Sequence, residues 1–99
     1  MSYQIEQTDI FKAWHSGLRD LRVKAAIYRR IDNAESGSLG DVKSVGDGVS
    51  EMRVDMGPGY RLYFTMRDRV IIFLLCGGDK NTQDADIKRA RKLAKEIKP

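Results

Sequence analysis

The chain has 99 residues, enough for one domain with a single hydrophobic core. Apolar residues make up 41% of it and charged residues 32%, a balance that excludes intrinsic disorder. No apolar run approaches the roughly 20 residues of a membrane-spanning helix. No segment has the layout of a signal peptide, so a cytoplasmic location without membrane contact is expected. The formal net charge of +4 favours a polyanionic partner, either nucleic acid or an acidic protein.

The cysteine and histidine content argues against several kinds of site. The single cysteine, Cys76, cannot form an internal disulfide, and it is predicted to be a buried small hydrophobic residue. The single histidine, His15, is predicted to be structural or exposed rather than catalytic. Because the sequence has no Cys/His cluster, phosphate loop or dinucleotide fingerprint, neither a metal nor a cofactor is expected.

The first third of the chain predicts a short strand and two helices. Residues 3–7 alternate as a strand does, and Thr8 or Asp9 can cap a helix over residues 10–15. A longer helix is predicted over residues 19–35. Its core-facing band is predicted to consist of Leu18, Leu21, Ala25, Ile27, Tyr28, Ile31 and Ala34.

The remainder predicts hairpins followed by a helix. Glycines divide residues 37–59 into short segments, which is typical of turns between strands. Strands are predicted over 41–45, 49–56, 60–67 and 70–76. The last of these is apolar throughout, so it is expected to be covered on both faces. Asn81 or Thr82 can cap the final helix.

The element order is therefore β-α-α-β-β-β-β-α. We predict one α+β domain over residues 1–99, with a twisted and mostly antiparallel sheet. The two N-terminal helices are expected to pack on one face of that sheet, with a C-terminal helix completing the fold.

Alternation in the two middle strands separates an apolar face from a charged one. The charged face carries Glu51, Arg53, Arg61, Tyr63 and Arg67. Local chemistry alone favours a solvated sheet face with cross-strand ion pairs. The neighbouring apolar strand is expected to end beside these arginines and to deliver two glycines, an acid and a lysine there. A partly desolvated cationic site for a phosphate is therefore the competing interpretation.

Three features near the end of the apolar strand stay open to two interpretations. Gly77 and Gly78 either make room for a ligand or another backbone, or simply form the turn into the helix. Asp79 and Lys80 either take part in the function or have only a local structural role, in which Asp79 caps the helix. The basic stripe of the last helix is either an ordinary solvated surface or a surface that binds nucleic acid through its positive charge. This stripe consists of Lys88, Arg91, Lys92, Lys95 and Lys98.

Three segments resemble the RelE/ParE toxin superfamily, in particular its phage-derived, HigB-like "addiction module killer protein" branch. They are Gly-Val-Ser-Glu-Met-Arg (48–53), Gly-Pro-Gly-Tyr-Arg-Leu-Tyr-Phe (57–64) and Leu-Leu-Cys-Gly-Gly-Asp-Lys-Asn-Thr-Gln (74–83). Gly-Asp-Val-Lys (40–43) and the opening segment with Phe11 and Trp14 fit the same branch.

The resemblance implies a small toxin held inactive by a cognate antitoxin, often a helix-turn-helix protein. Many members of the superfamily cleave mRNA in the ribosomal A site without a metal. Operator DNA is expected to be a partner only through the antitoxin complex. The positions that match catalytic or RNA-contacting residues of relatives are Arg53, Arg61, Lys80 and Lys43.

The expected chemistry is attack of a 2′-hydroxyl on the neighbouring phosphate. Arg61 is expected to grip the phosphate with help from Arg53, and Lys80 to act as general acid or base. Asp79 is either the base or a residue that orients Lys80. Contacts to the mRNA or ribosome are expected from Lys43, Arg67, Lys88, Arg91, Lys92 and Lys95.

Several RNA-cleaving relatives carry a His or Tyr near the chain end, and this sequence has neither after Tyr63. Ribosomal positioning of the RNA is therefore expected to supply part of the rate. Two other functions compete with the nuclease. One is a toxin that poisons DNA gyrase without cleaving RNA, and the other is an inactive module that binds only its antitoxin and operator.

Overall fold

The computed structural model describes residues 2–97, so Lys98 of the predicted basic stripe lies outside the described residues. The elements are β1 (Gln4–Gln7), α1 (Asp9–Ser16), α2 (Leu21–Glu35), β2 (Val42–Gly46), β3 (Val49–Val54), β4 (Tyr60–Arg67), β5 (Ile71–Asp79) and α3 (Gln83–Glu96), with a 3-10 turn over Lys80–Thr82 before α3. The predicted α+β class and element order are confirmed. No helix within residues 2–97 combines the length and apolarity needed to cross a membrane.

The five strands form one sheet in the order β1-β5-β4-β3-β2. β1 pairs with β5 in parallel, and the other three pairings are antiparallel. Thr8 ties the start of α1 to β5, since its hydroxyl accepts a hydrogen bond from Phe11 N and donates one to Leu75 O. Asp20 caps α2 in the same way, through the backbone amides of Arg22 and Val23.

Helices cover both faces of the sheet. α1 and α2 pack on the face that carries Met52, Leu62 and Leu74, as predicted for the two N-terminal helices. α3 packs on the opposite face, against Tyr63 and Leu75. The interpretation of this second face as a solvated, charged surface is wrong for its centre, because α3 buries it, in agreement with the cover predicted for both faces of the apolar strand.

The core-facing side of α2 agrees with the predicted band at Ile27, Ile31 and Ala34 but not at Leu21 and Tyr28. Val23, Ile27 and Ala34 are buried, whereas Leu21 is 76% exposed and Tyr28 66% exposed. The helix carries two apolar stripes, and Leu21 and Val23 are separated by about 200° around its axis. Periodicity identifies both stripes, but it cannot decide which one meets the sheet.

β5 extends three residues beyond its predicted end, so Gly77 and Gly78 lie inside the strand rather than in a turn. They pair with Leu62 and Arg61 of β4. A Cβ on Gly77 would lie 2.6 Å from Cη2 of Trp14 on α1. A Cβ on Gly78 would lie 2.8 Å from the Thr82 hydroxyl, on the opposite face. The glycines therefore admit neighbouring side chains to both faces of β5.

Gly77→Ala is expected to destabilise the fold by about 1–3 kcal/mol, because the added methyl overlaps the packed indole ring of Trp14. Urea denaturation followed by circular dichroism measures the change. In a Trp14→Leu background the cost of the same substitution should shrink, since the rigid ring is gone. An equal cost in both backgrounds would show that the indole is not the obstacle.

Cys76 is buried, as predicted, and its Sγ lies 3.6 Å from Asp86 O. Burial raises the pKa of the Cys76 thiol to about 12, with a further contribution from the Asp86 carboxylate. Starting from an ordinary value of 9.0, this shift lowers the thiolate fraction at mildly alkaline pH by about a thousandfold.

Native protein should therefore resist thiol-specific disulfide reagents, whereas urea-unfolded protein reacts at once. The labelling rate, compared with and without urea, checks this expectation. Because the folded-state pKa is the higher one, the neutral thiol stabilises the fold below the unfolded pKa. That stabilisation is lost as the pH rises toward the folded pKa. Rapid labelling of native protein would place the thiol at the surface.

Candidate functional site

Three adjacent strands bring two of the predicted arginines together. Arg53 of β3 and Arg61 of β4 are Cα partners, and Arg61 is also the partner of Gly78 on β5. Directly paired residues of antiparallel strands project from the same face of a sheet. The Arg53 and Arg61 side chains therefore leave the sheet side by side. The space above Gly78, next in this row, is occupied by the Asp86 carboxyl group and the Thr82 hydroxyl.

A cleft of about 200 Å³ opens at this end of the sheet. Backbone and side chains from the β3–β4 hairpin form most of it, and the loop before β2 contributes an acid. The lining residues are Asp41, Arg53, Val54, Asp55, Gly59, Tyr60 and Arg61. Two arginines and the polar groups around them make a surface suited to an anionic group such as phosphate.

Arg61 is held by two groups of the protein. Its Nε lies 3.4 Å from Oε1 of Glu51, and its Nη1 donates a 3.0 Å hydrogen bond to Gly59 O. The Arg61 side chain is 14% exposed. Among residues 2–97, Nη2 of Arg61 has no hydrogen-bond partner. The Arg61 guanidinium group therefore has a fixed orientation, and its Nη2 remains available to donate a hydrogen bond to a ligand.

Glu51 is the buried anion that fixes this orientation. Its side chain is 1% exposed, and its Oε2 accepts a 3.0 Å hydrogen bond from Nε2 of Gln83, the first residue of α3. The pKa of the paired Tyr63 is raised, by burial first and then by the nearby Glu51 carboxylate. The Tyr63 phenol is therefore neutral beside the ion pair.

Arg53 is the more exposed of the two arginines. Its Nη2 lies 3.1 Å from Oδ1 of Asp41, and these side chains are 43% and 60% exposed. An exposed ion pair contributes little to stability, at most about 1 kcal/mol. A phosphate could therefore replace Asp41 as the partner of Arg53 at small cost.

Lys80 borders the same cleft from the 3-10 turn that follows β5. A Cβ placed on Gly59 would lie 3.6 Å from Nη1 of Arg61 and 4.0 Å from Cβ of Lys80. Asp79 lies one residue earlier, and its Oδ1 accepts a 2.8 Å hydrogen bond from Asn81 N. Thr82 completes a capping box with Asp79. Asp79 thus fixes the turn that presents Lys80.

Two of the cations predicted to contact RNA have hydrogen-bond partners within the protein. Nη2 of Arg67 donates a 3.1 Å hydrogen bond to Ala94 O in the last turn of α3. Nε of Arg91 donates a 3.0 Å hydrogen bond to Val45 O, which ties α3 to β2. Arg67 lies at the end of β4 opposite to Arg61. The structure therefore does not bring Arg67 to the cleft.

The other predicted RNA contacts are exposed. Lys43 lies on the edge strand β2 and pairs with Glu51 of β3, on the same side of the sheet as Arg53. Lys88, Lys92 and Lys95 are exposed along α3. They form a separate cationic surface rather than part of the cleft. His15 lies on α1 in contact with Lys24 O at 3.1 Å, a structural position as predicted.

Sequence reasoning missed three residues that hold the site. Alternation placed Glu51 on the arginine face, but its burial depends on α3 and could not be read from the strand. Gln83 belongs to one of the segments that carry the family resemblance, but nothing in the sequence indicated its hydrogen bond to Glu51. Arg30 of α2 donates hydrogen bonds to Arg53 O and Leu39 O, which secures the end of β3.

Comparison with known protein families identifies the chain. The model of the family described as "Phage derived protein Gp49-like (DUF891)" matches residues 13–98. The chain belongs to this phage-derived Gp49-like family. A Haemophilus influenzae protein described only as uncharacterized is 50% identical over 97 residues, and the match covers 98% of each chain.

Solved structures show the same fold. A mutant of the Escherichia coli toxin RelE in the free state superposes with a TM-score of 0.74 at 16% identity, covering 99% of this chain and all of that one. The RelBE2 toxin–antitoxin complex of Mycobacterium tuberculosis contains a chain with a TM-score of 0.64 at 19% identity, covering 81% of this chain and all of that one. With the family match, this fold confirms the resemblance to the RelE/ParE superfamily.

Proposed function

We propose that this Gp49-like protein is the toxin of a toxin–antitoxin pair, of the HigB-like kind, and that it cleaves mRNA on the ribosome. The observation that carries the proposal is the pair of neighbouring arginines. Arg61 is oriented by a buried carboxylate, Arg53 has only an exposed and replaceable partner, and both line one cleft with Lys80 at its border. A poison of DNA gyrase would have no need of such a convergent arrangement.

The reaction requires a 2′-hydroxyl to attack the adjacent phosphorus. The new 2′O–P bond forms as the P–5′O bond breaks, which yields a cyclic phosphate and a free 5′-hydroxyl. Negative charge builds up on the phosphate oxygens during the attack, and preorganised cations stabilise it without reorganising. Arg61 binds these oxygens through Nη2, the nitrogen that contacts neither Glu51 nor Gly59 O. Arg53 binds them after its ion pair with Asp41 has broken.

Protonation of the leaving group falls to Lys80 in this scheme. As the 2′O–P bond forms, the 2′-hydroxyl gives its proton to the Asp79 carboxylate or to water, and the Lys80 ammonium gives one to the leaving 5′-oxygen. Asp79 also holds the turn that presents Lys80. Alignment of the 2′-hydroxyl with the phosphorus by the ribosome supplies a further part of the acceleration.

The proposed partner is a cognate antitoxin encoded as a helix-turn-helix protein. One relative by fold belongs to a toxin–antitoxin complex. The cleft of this chain presents cations that an acidic or amphipathic antitoxin segment would neutralise. Operator DNA would be bound only through that complex. Lys43, Lys88, Lys92 and Lys95 are available for contacts with ribosomal or messenger RNA.

The proposal is tested by expressing the protein without its antitoxin and mapping mRNA 5′ ends by primer extension while growth is followed. We expect growth to stop and cuts to appear within translated codons. A reconstituted translation reaction should show the same cuts, and they should vanish when ribosomes are omitted. Growth arrest with intact mRNA would reject the nuclease in favour of a gyrase poison. Normal growth would indicate an inactive, antitoxin-binding module.

A further inference from the structure

A second cleft lies between α1 and α3, beside the end of β5. It has a volume of about 520 Å³, more than twice that of the arginine cleft. It lies beyond the end of β1, whose last residue, Gln7, pairs with Leu74. Among residues 2–97, β5 therefore has a strand beside it there only on the β4 side. Its lining residues are Asp9, Ile10, Ala13, Trp14, Gly77 and Arg89. We call it the α1–α3 cleft.

The lining combines a flat apolar wall with two opposite charges. Trp14 lies directly over Gly77 and remains partly exposed, and Ala13 extends this wall. Arg89 is exposed on the α3 side, and Asp9 is on the α1 side. Aromatic rings beside arginines are the usual platform for unpaired bases, since every base has an apolar face and a nearby phosphate. A carboxylate can accept a hydrogen bond from an exocyclic amino group.

One aromatic contact relates the α1–α3 cleft to the arginine cleft. The rings of Trp14 and Tyr60 lie 6.5 Å apart, and Tyr60 lines the arginine cleft. Gly77, in the α1–α3 cleft, and Gly78, the partner of Arg61, face opposite sides of β5, so RNA that reaches both clefts must pass around the end of the sheet at Tyr60. A single strand of RNA on this path, with a phosphate at Arg61, would place a neighbouring nucleotide beside Trp14.

We propose that the α1–α3 cleft binds an unpaired nucleobase of the RNA strand whose phosphate occupies the arginine cleft. This inference rests on the proposed function and extends it from one phosphate to a nucleotide-binding site on each side of Tyr60. The base packs against the exposed part of the Trp14 ring, and Arg89 contacts the phosphate that follows.

The test uses the single tryptophan as an intrinsic probe. Purified protein is titrated with a short single-stranded RNA whose 2′-hydroxyls are methylated, which prevents cleavage. We expect Trp14 emission to be quenched on binding. In parallel, fluorescence anisotropy of the labelled RNA should show binding weakened about tenfold by Trp14→Leu or Arg89→Ala. Arg29→Ala is the matched control, because it removes one exposed positive charge from α2, outside both clefts.

Trp14→Leu also removes packing over Gly77, so Arg89→Ala, an exposed position, keeps the test independent of folding. Unchanged Trp14 emission on addition of RNA would overturn the inference. Equal weakening by Arg89→Ala and Arg29→Ala would do so as well, since only net charge would then matter. If RNA quenches Trp14 emission but mRNA stays intact in the ribosome assay described above, the base-binding cleft is supported and the nuclease is rejected. Cleavage with neither variant impaired would support the nuclease and reject the cleft.

Discussion

Arg61→Ala is expected to lower the rate of RNA cleavage by roughly 100-fold or more, as the loss of a preorganised donor to a developing oxyanion does elsewhere. Arg61→Lys should not restore the rate. One ammonium group cannot contact Glu51 and Gly59 O and still offer a donor to the phosphate, whereas the guanidinium fork does all three.

Single-turnover cleavage of mRNA on programmed ribosomes measures this effect. Arg29→Ala is the matched control, since it removes the same charge away from the cleft. Circular dichroism and thermal unfolding of each variant would show that the fold is retained. Cleavage by Arg61→Ala at the wild-type rate would remove Arg61 from the reaction and with it the proposed role of this cleft.

Glu51→Leu is expected to lower the free energy of unfolding by about 3 kcal/mol, because the largely buried Arg61 guanidinium group loses the anion that neutralises it. It also leaves the Gln83 amide without its acceptor at the start of α3. Chemical denaturation of the purified protein measures the loss. Glu51→Gln keeps the shape of the side chain, so it should cost less stability while still loosening Arg61.

A double-mutant cycle separates the ion pair from simple packing. The variant that combines Glu51→Leu with Arg61→Leu should be more stable than Glu51→Leu alone, since no charge is then left unpaired. If the two changes are simply additive, Glu51 and Arg61 are not coupled in the fold. Glu51→Gln should also reduce cleavage, with its main effect on kcat rather than KM, if Glu51 orients Arg61 for the transition state.

Local patterns predicted the strands and the arginine pair well. Alternation in β3 and β4 placed Arg53 and Arg61 on one face, and pairing of the two strands makes them neighbours. The covered nature of β5 also followed from its uninterrupted apolar sequence. Each of these inferences depends on residues near one another in the chain, where the period of two dominates.

The parts that failed depend on contacts between distant segments. The pairing of β4 and β5 changes register between Tyr63 and Phe64, so strict alternation breaks down within β5. Leu75 and Cys76 consequently both pack with the α3 side. The burial of Glu51 beneath Gln83 is likewise a tertiary effect, and neither residue alone indicates it.

The parallel pairing of β1 with β5 has a consequence for how the chain is made. Gln4 and Ile71 are register partners although 67 positions separate them. Such a high contact order slows folding, since a long loop must close before the pairing stabilises it. A nascent chain that ends before β5 lacks this pair, the strand that carries Gly78 and the turn that carries Lys80. The arginine cleft therefore cannot be complete until β5 has been synthesised and has paired with β4.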